Sequence, residues 1–516
     1  MTDVRGRWRP VALGGLFVVS IGLGVRNVKP FGSASVGPDA VAPVIEFQRL
    51  LAGRPVEGHL TQTSKPLFDA VFGPIYGLTG DWRPVVWAAI VAFALSVVLA
   101  AVLAYRIGGL TSAAFAAVAF LLSPILLVDL SLAYAITWML LLLLVAGLAV
   151  TTERPRYAIA GTALMLAALA RPEVLAVAAI SLGALVVAAV WATAKDRPRP
   201  PRGAYYIVIA FLAIPILMVH DGLLFRDPFF WAKTALINSQ GQPVRGLVGV
   251  VLWMVRHFLG QLVLLPLAGV AAWVLLSRRQ WGMAIGLGGV VFGIAGFFIV
   301  SGARGIFLSS RYLAPIDLGL LFAAAVGVSA LDLPALRRWL GQRLSPTVRQ
   351  FALPMFGGLL VAMTVAPLAP LDNATRASVV KQLSLHANAR RAFDAIRSQL
   401  GTPPTWRNLP PGQGFSPNPL VIVPTTLRAQ AVTDLDLPLT EVAYSSSVAF
   451  FDPFNGKPGA GTIIYHDRID DDPNDERYKP LEISQPTTIG AVRYVPILTD
   501  PAAGIWVVRV EDAPGS

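Results

Sequence analysis

The sequence predicts a polytopic α-helical membrane protein of about eleven transmembrane helices, followed by an extracytoplasmic C-terminal domain of mixed α/β or β-rich character. Three observations carry this. The 516 residues are 55% hydrophobic and only 14% charged, against about 25% charged in soluble proteins. Long apolar blocks recur from Val11 to Leu368. After Pro370 the composition turns polar and mixed. Residues 1–370 therefore read as a transmembrane domain and 371–516 as one soluble domain.

A helix rises about 1.5 Å per residue and the hydrocarbon core is about 30 Å thick. Spans are expected near residues 11–25, 84–105, 109–128, 132–150, 157–170, 173–193, 204–219, 250–276, 281–300, 312–330 and 351–369. Basic residues orient them, because they concentrate on the cytoplasmic side. Arg5/Arg7/Arg9, Arg106, Arg154/Arg156, Lys195–Arg202, Arg278/Arg279 and Arg337–Arg349 fall on alternate ends of successive spans. The N-terminus is accordingly expected inside and the C-terminal domain outside, in a cell membrane. The apolar run to Val25 lacks a small-residue cleavage site before Arg26, so it reads as a first helix rather than a cleaved signal.

Two places depart from simple spanning. The run 157–170 is short and is followed by Arg171-Pro172-Glu173, so a broken turn is expected near the outer surface. Arg256-His257 interrupts the eighth block, so residues 247–257 are expected to lie along the outer interface before the chain turns inward. Two outer loops are long, 26–83 and 220–246, and the polar residues gather there. In the first, 39–51 and 65–78 read as helices lying flat on the bundle. In the C-terminal domain, 376–400 reads as an amphipathic helix, and 420–424, 441–444, 462–466, 489–497 and 505–510 read as strands.

Composition also excludes. With no cysteine, disulfides, thiolate catalysis and cysteine metal sites are out. The net charge of +12 resides in arginines at span ends, so nucleic acid is not an expected partner. No second histidine stands at metal spacing from His59. No metal ligands are assigned, although a divalent cation (Mg or Mn) stays open.

The order of several short stretches resembles a family. An apolar first helix leads to a long outer loop with an early acid at a helix start, Gly37-Pro38-Asp39-Ala40. Ala52-Gly53-Arg54 and Lys65-Pro66-Leu67 follow. Leu169-Ala170-Arg171-Pro172-Glu173 and Ser310-Arg311-Tyr312-Leu313-Ala314-Pro315 stand at later outer ends. This resembles the GT-C superfamily of polyprenyl-phosphate-sugar-dependent glycosyltransferases, in its protein-mannosyltransferase and aminoarabinose-transferase branch, over roughly the first 370 residues. The early acid here stands alone rather than paired, and the Lys-Pro stretch has one proline.

The resemblance implies an inverting glycosyltransferase at the outer face. It would move a sugar from a polyprenyl-phosphate donor to a hydroxyl of an envelope glycan, glycolipid or protein. The richness in Arg, Ala, Val and Gly would suit an actinobacterial mannosyl- or arabinosyltransferase. Asp39 would be the catalytic base. Lys65, Arg171 and Arg311 would hold the donor phosphate, whose charge grows in the transition state. Glu173, His59, Asp129 and Tyr312 are candidate supporting residues. Each has a plainer reading: Asp39 as a helix-start residue, Lys65 and Arg311 as interfacial cations, Arg171–Glu173 as an internal ion pair. The alternatives are a non-catalytic membrane scaffold, or a lipid or sugar transporter. Against a transporter, no inverted repeat of broken helices is evident.

Overall fold

The computed structural model describes residues 4–28, 36, 38–56, 64–195, 200–237, 246–261, 263–306, 310–328, 385, 388–401, 419–424, 427–444, 459–468, 482–489 and 492–513. Asp39 and Arg311 are described as backbone alone. The expected span 351–369 and His59 lie outside the described residues. The chain forms two compact units: Met1–Val28, Trp87–Leu217 and Ala235–Arg376 make the first, and Lys29–Val86, Met218–Thr234 and Ala377–Ser516 the second.

The first unit is helical. Among the described residues, five helices are long and apolar enough to cross a membrane: Pro10–Val28, Arg83–Leu121, Val174–Ala194, Arg202–Phe225 and Trp281–Ala303. A sixth span results if the pair Gly246–Gly260 and Leu264–Ser277, bent by 85°, counts as one. Ala135–Val150, Tyr157–Ala170 and Ala314–Gly327 are shorter apolar helices. This is the architecture of a multi-pass membrane protein.

In chain order the helices are α1 (Val4–Val28), α2 (Pro38–Leu51), α3 (Pro66–Thr79), α4 (Arg83–Leu121), α5 (Pro124–Ser131), α6 (Ala135–Val150), α7 (Tyr157–Ala170) and α8 (Val174–Ala194). Then come α9 (Ala213–Phe225), α10 (Phe230–Ile237), α11 (Gly246–Gly260), α12 (Leu264–Ser277), α13 (Trp281–Gly288), α14 (Ile294–Ala303) and α15 (Ala314–Gly327). A 3-10 stretch, Arg202–Leu212, leads into α9, and a π turn, Gly289–Gly293, joins α13 to α14.

Two breaks explain how the sequence spans were read. At 39 residues α4 would be about 58 Å long if straight, about twice the hydrocarbon core. Gly109, at φ 79 and ψ −162, breaks it. Only glycine reaches that conformation without strain, so the two expected spans 84–105 and 109–128 join at one residue. Just before the break, the Ile107 carbonyl accepts an N–H from Arg278 at 2.5 Å. The second break falls between α7 and α8, where Arg171 is extended, Pro172 cannot continue a helix and α8 starts after Glu173.

The second unit carries a six-stranded sheet. Its strands are β1 (Val421–Val423), β2 (Val442–Tyr444), β3 (Ile463–Asp467), β4 (Thr487–Ile489), β5 (Val492–Asp500) and β6 (Ile505–Asp512), ordered β2-β1-β3-β6-β5-β4. β1 pairs in parallel with β2 and β3, and the remaining pairs are antiparallel. Ile422, Ala443, Ile464, Tyr494 and Val508 fill its core. β4 is the strand not expected from sequence; its Thr487 and Thr488 are exposed, so it lacks the alternation that marks a half-buried strand. A helix over 388–400, α16, and α17 (Arg428–Asp434) accompany the sheet.

Candidate functional site

α2, α3 and the end of α9 meet in the second unit and bury a polar cluster. α2 and α3 approach closely because Gly73 faces Phe47: a Cβ at Gly73 would overlap the Phe47 ring. Glu46 precedes Phe47, and Asp69 lies one turn before Gly73, so this contact brings the two acids together. Glu46 is 1% exposed, Asp69 3%, His220 7% and Asp221 0%. Lys65, at the N-cap of α3, is also buried. Its carbonyl accepts the Phe68 N–H at 2.7 Å, and Pro66 after it starts the helix.

His220 is the hub. Its Nε2 lies 2.6 Å from Asp69 Oδ2 and 3.8 Å from Glu46 Oε2, and its Nδ1 lies 3.0 Å from Asp221 Oδ1. The other oxygen of Asp221 accepts the backbone N–H of Trp231 at 2.6 Å, which ties α10 to the cluster. Glu46 Oε2 and Asp69 Oδ1 are buried without a hydrogen-bond donor. Burial holds the Glu46 carboxyl well above its ordinary range, and the neighbouring Asp69 charge raises it further. Burial likewise raises Asp69, against the opposing pull of His220. Lys65 supplies positive potential to both acids.

The donor set suits a divalent cation. Glu46, Asp69 and His220 offer ligand atoms all within 4.8 Å of one another. One imidazole with carboxylates fits zinc or manganese. With His220 Nε2 turned to a metal, Nδ1–H would donate to Asp221, the carboxylate–histidine arrangement that fixes a ligand's tautomer. Two buried carboxylate oxygens without donors are what such an ion would satisfy.

A second polar group sits in the first unit, at the break between α7 and α8. Arg171 Nε pairs with Glu173, and the Arg171 guanidinium lies 5.9 Å from the centre of the Tyr312 ring. Asp129, at the end of α5, is within electrostatic reach of Arg171. Its Oδ2 accepts both the N–H and the hydroxyl of Thr137, at 2.8 and 2.6 Å, capping the first turn of α6. His257 of α11 and Asp317 of α15 form a further buried pair at 2.6 Å.

The residues singled out from sequence thus divide. Lys65 joins the carboxylate–histidine cluster. Arg171, Glu173, Tyr312 and Asp129 gather at the helix break. Asp39 lies in the first turn of α2, seven residues before Glu46, and Arg311 precedes Tyr312 in a 3-10 turn. Sequence reasoning assigned no role to Glu46, Asp69 or His220. Glu46 and Asp69 were visible as acids inside amphipathic helices of the outer loop, but the histidine joining them is 151 residues beyond Asp69. No local spacing could announce it.

No family model matches the chain, and no curated protein matches it. Solved structures do. The structure of ArnT from Cupriavidus metallidurans bound to undecaprenyl phosphate is similar over 96% of this chain and 97% of that one, with 15% identity and a TM-score of 0.53. The oligosaccharyltransferase AglB from Archaeoglobus fulgidus, in complex with an inhibitory peptide and a dolichol-phosphate, is similar over 88% of this chain and 66% of that one, with 14% identity and a TM-score of 0.51. This likeness is one of fold: the chain is a polytopic membrane protein built as ArnT and AglB are. The chain has the GT-C fold.

Proposed function

We propose that this protein is an inverting glycosyltransferase that moves a sugar from a polyprenyl-phosphate donor to an acceptor hydroxyl at the outer face of the membrane. The observation that carries this is the buried Glu46–Asp69–His220 cluster, built on the outer-loop helices of a GT-C fold. The similar structures of ArnT and AglB hold undecaprenyl phosphate and dolichol-phosphate, which supports a lipid phosphate as the leaving group.

In the reaction the acceptor oxygen forms a bond to the anomeric carbon as the bond from that carbon to the phosphate oxygen breaks. The acceptor proton passes to a carboxylate, and polyprenyl phosphate leaves. Attack opposite the leaving group inverts the anomeric centre. A base must sit within hydrogen-bond reach of the hydroxyl. Asp39, in the first turn of α2, serves as that base. Lys65 balances the charge that develops on the leaving phosphate, and Arg171 and Arg311 keep the donor-phosphate role that the motif resemblance implies. Glu46, Asp69 and His220 would hold a divalent cation, which would supply further positive charge to that phosphate. Glu173 orients Arg171 through its ion pair, and Tyr312 covers the guanidinium.

A transfer assay tests this, using purified full-length protein, a panel of labelled polyprenyl-phosphate sugars and an envelope extract as acceptor. Turnover from one donor is expected. It should fall by about 10²–10⁴-fold in Asp39→Asn, the magnitude of a lost general base. It should also stop in Asp69→Asn and Glu46→Gln. No turnover from any donor, with a well-folded protein, would favour a scaffold role instead.

A further inference from the structure

A cavity of about 1160 Å³ lies inside the first unit, lined by α4, α6, α7, α8, α13 and α15. That exceeds the ~300–1,000 Å³ of ordinary small-molecule pockets. Its walls are mainly apolar, including Leu140, Leu144, Leu164, Leu185, Ile285 and Phe322. Its two ends differ. At one, Arg106, Thr151, Thr152, Arg279 and Gln280 line it. Arg106 and Arg279 are exposed there, and so are Trp191 and Trp281, which also line it. Tryptophans at such a level mark a membrane–water interface. The buried Gln280 Oε1 has no hydrogen-bond donor.

This basic end is not the Arg171 end. Tyr157, which lines the cavity, starts α7, and Arg171 follows its last residue. A helix of that length separates them by about 20 Å. Along α6 the lining runs from Met139 to Val150, about 16 Å of depth, or one leaflet of a hydrocarbon core about 30 Å thick. The basic end carries the segments that charge asymmetry assigns to the cytoplasmic side.

We propose that this cavity binds an anionic membrane lipid of the cytoplasmic leaflet, with its phosphate against Arg106 and Arg279 and its chains in the slot. Charge complementarity, one-leaflet depth and an apolar wall select that occupant. Arg106 donates one N–H to the Leu148 carbonyl at 3.2 Å, and a guanidinium has donors to spare for a phosphate. The site is separate from the transfer site and does not depend on the proposed reaction.

Two glycines allow a clean test. Gly282 and Gly286 line the cavity, and a Cβ added at either meets nothing within 4 Å. A side chain added there begins without overlap. The probes are dioleoyl phosphatidylglycerol and dioleoyl phosphatidylcholine, titrated into the purified full-length protein and read by native mass spectrometry. Phosphatidylglycerol should bind more tightly. Arg106→Gln with Arg279→Gln should erase that preference, at about fivefold per arginine. Gly286→Phe should abolish binding while thermal unfolding stays near wild type. If Gly286→Phe misfolds, Gly282→Phe must give the same loss. Equal binding of both lipids, or binding indifferent to all these variants, overturns the proposal. Displacement by inorganic phosphate alone would mean a headgroup site without a chain slot, and preferential displacement by undecaprenyl phosphate would give the slot to the transfer donor; either also overturns it.

Discussion

At the scale of single residues, the balance between burial and charge decides what the cluster can do. Glu46 and Asp69 are both held above their ordinary carboxyl range, chiefly by burial. An acid with a raised folded pKa binds more protons folded than unfolded. Its stability contribution is full below the unfolded value, near pH 4, and is lost as pH rises through the folded value. The metal-free protein should therefore lose stability as pH climbs from about 4. A divalent cation competes with those protons, so added zinc or manganese should reverse the slope. Thermal unfolding at several pH values, with chelator and with metal, checks this; a slope of the same sign in both conditions would exclude metal at the cluster. In Asp69→Asn the metal-dependent gain should disappear. The acids could be read in the sequence as polar residues in apolar-faced helices. Their grouping with His220 could not, because three distant elements supply it. Lys65 stood out in the sequence through its place before Pro66, and it occupies the N-cap of α3.

At the scale of elements, two contacts hold the outer-loop helices. The first is the passage of Phe47 over Gly73. Alanine at Gly73 would gain ~1 kcal/mol of helix propensity but meets the ring, and overpacking costs about 1–3 kcal/mol. Gly73→Ala should lower the melting temperature, and Gly73→Ala with Phe47→Leu should restore part of it. The second is Asp434, at the end of α17. It accepts the Tyr76 hydroxyl and the Trp82 Nε1–H, both at 3.2 Å, and the Gln430 amide at 3.0 Å. Tyr76 and Trp82 stack with ring centres 4.2 Å apart. Burial raises the Asp434 carboxyl. Asp434→Ala strands those donors at about 1–3 kcal/mol for each one buried. It should expose the α2–α3 region to proteolysis while leaving the sheet core protected. Helix periodicity announced α2 and α3, and turn residues bounded most strands. β4 escaped because an exposed three-residue edge carries no alternation. The break at Gly109 falls where the two blocks 84–105 and 109–128 were expected to meet, with no polar loop between them.

At the scale of the whole molecule, membrane character was plain in the sequence, since apolar blocks of span length have no other common use. The branch-like order of short motifs pointed to the GT-C fold, which the solved structures of ArnT and AglB share. Orientation is testable directly because the chain has no cysteine. Arg154→Cys and Asp227→Cys each introduce a single thiol into a loop. In intact cells a membrane-impermeant maleimide should label the second and spare the first; the reverse pattern would invert the topology.

The wide separation of the cluster's members also shapes how the protein comes into being. His220 follows Asp69 by 151 residues, and a ribosome adding about 5–20 residues per second takes roughly eight to thirty seconds to reach it. Through that interval Glu46 and Asp69 have been made and their histidine has not. A nascent chain arrested before α9 carries two acids that the Phe47–Gly73 contact can bring together but that have no imidazole between them. Completion of the cluster thus waits on the synthesis of α9.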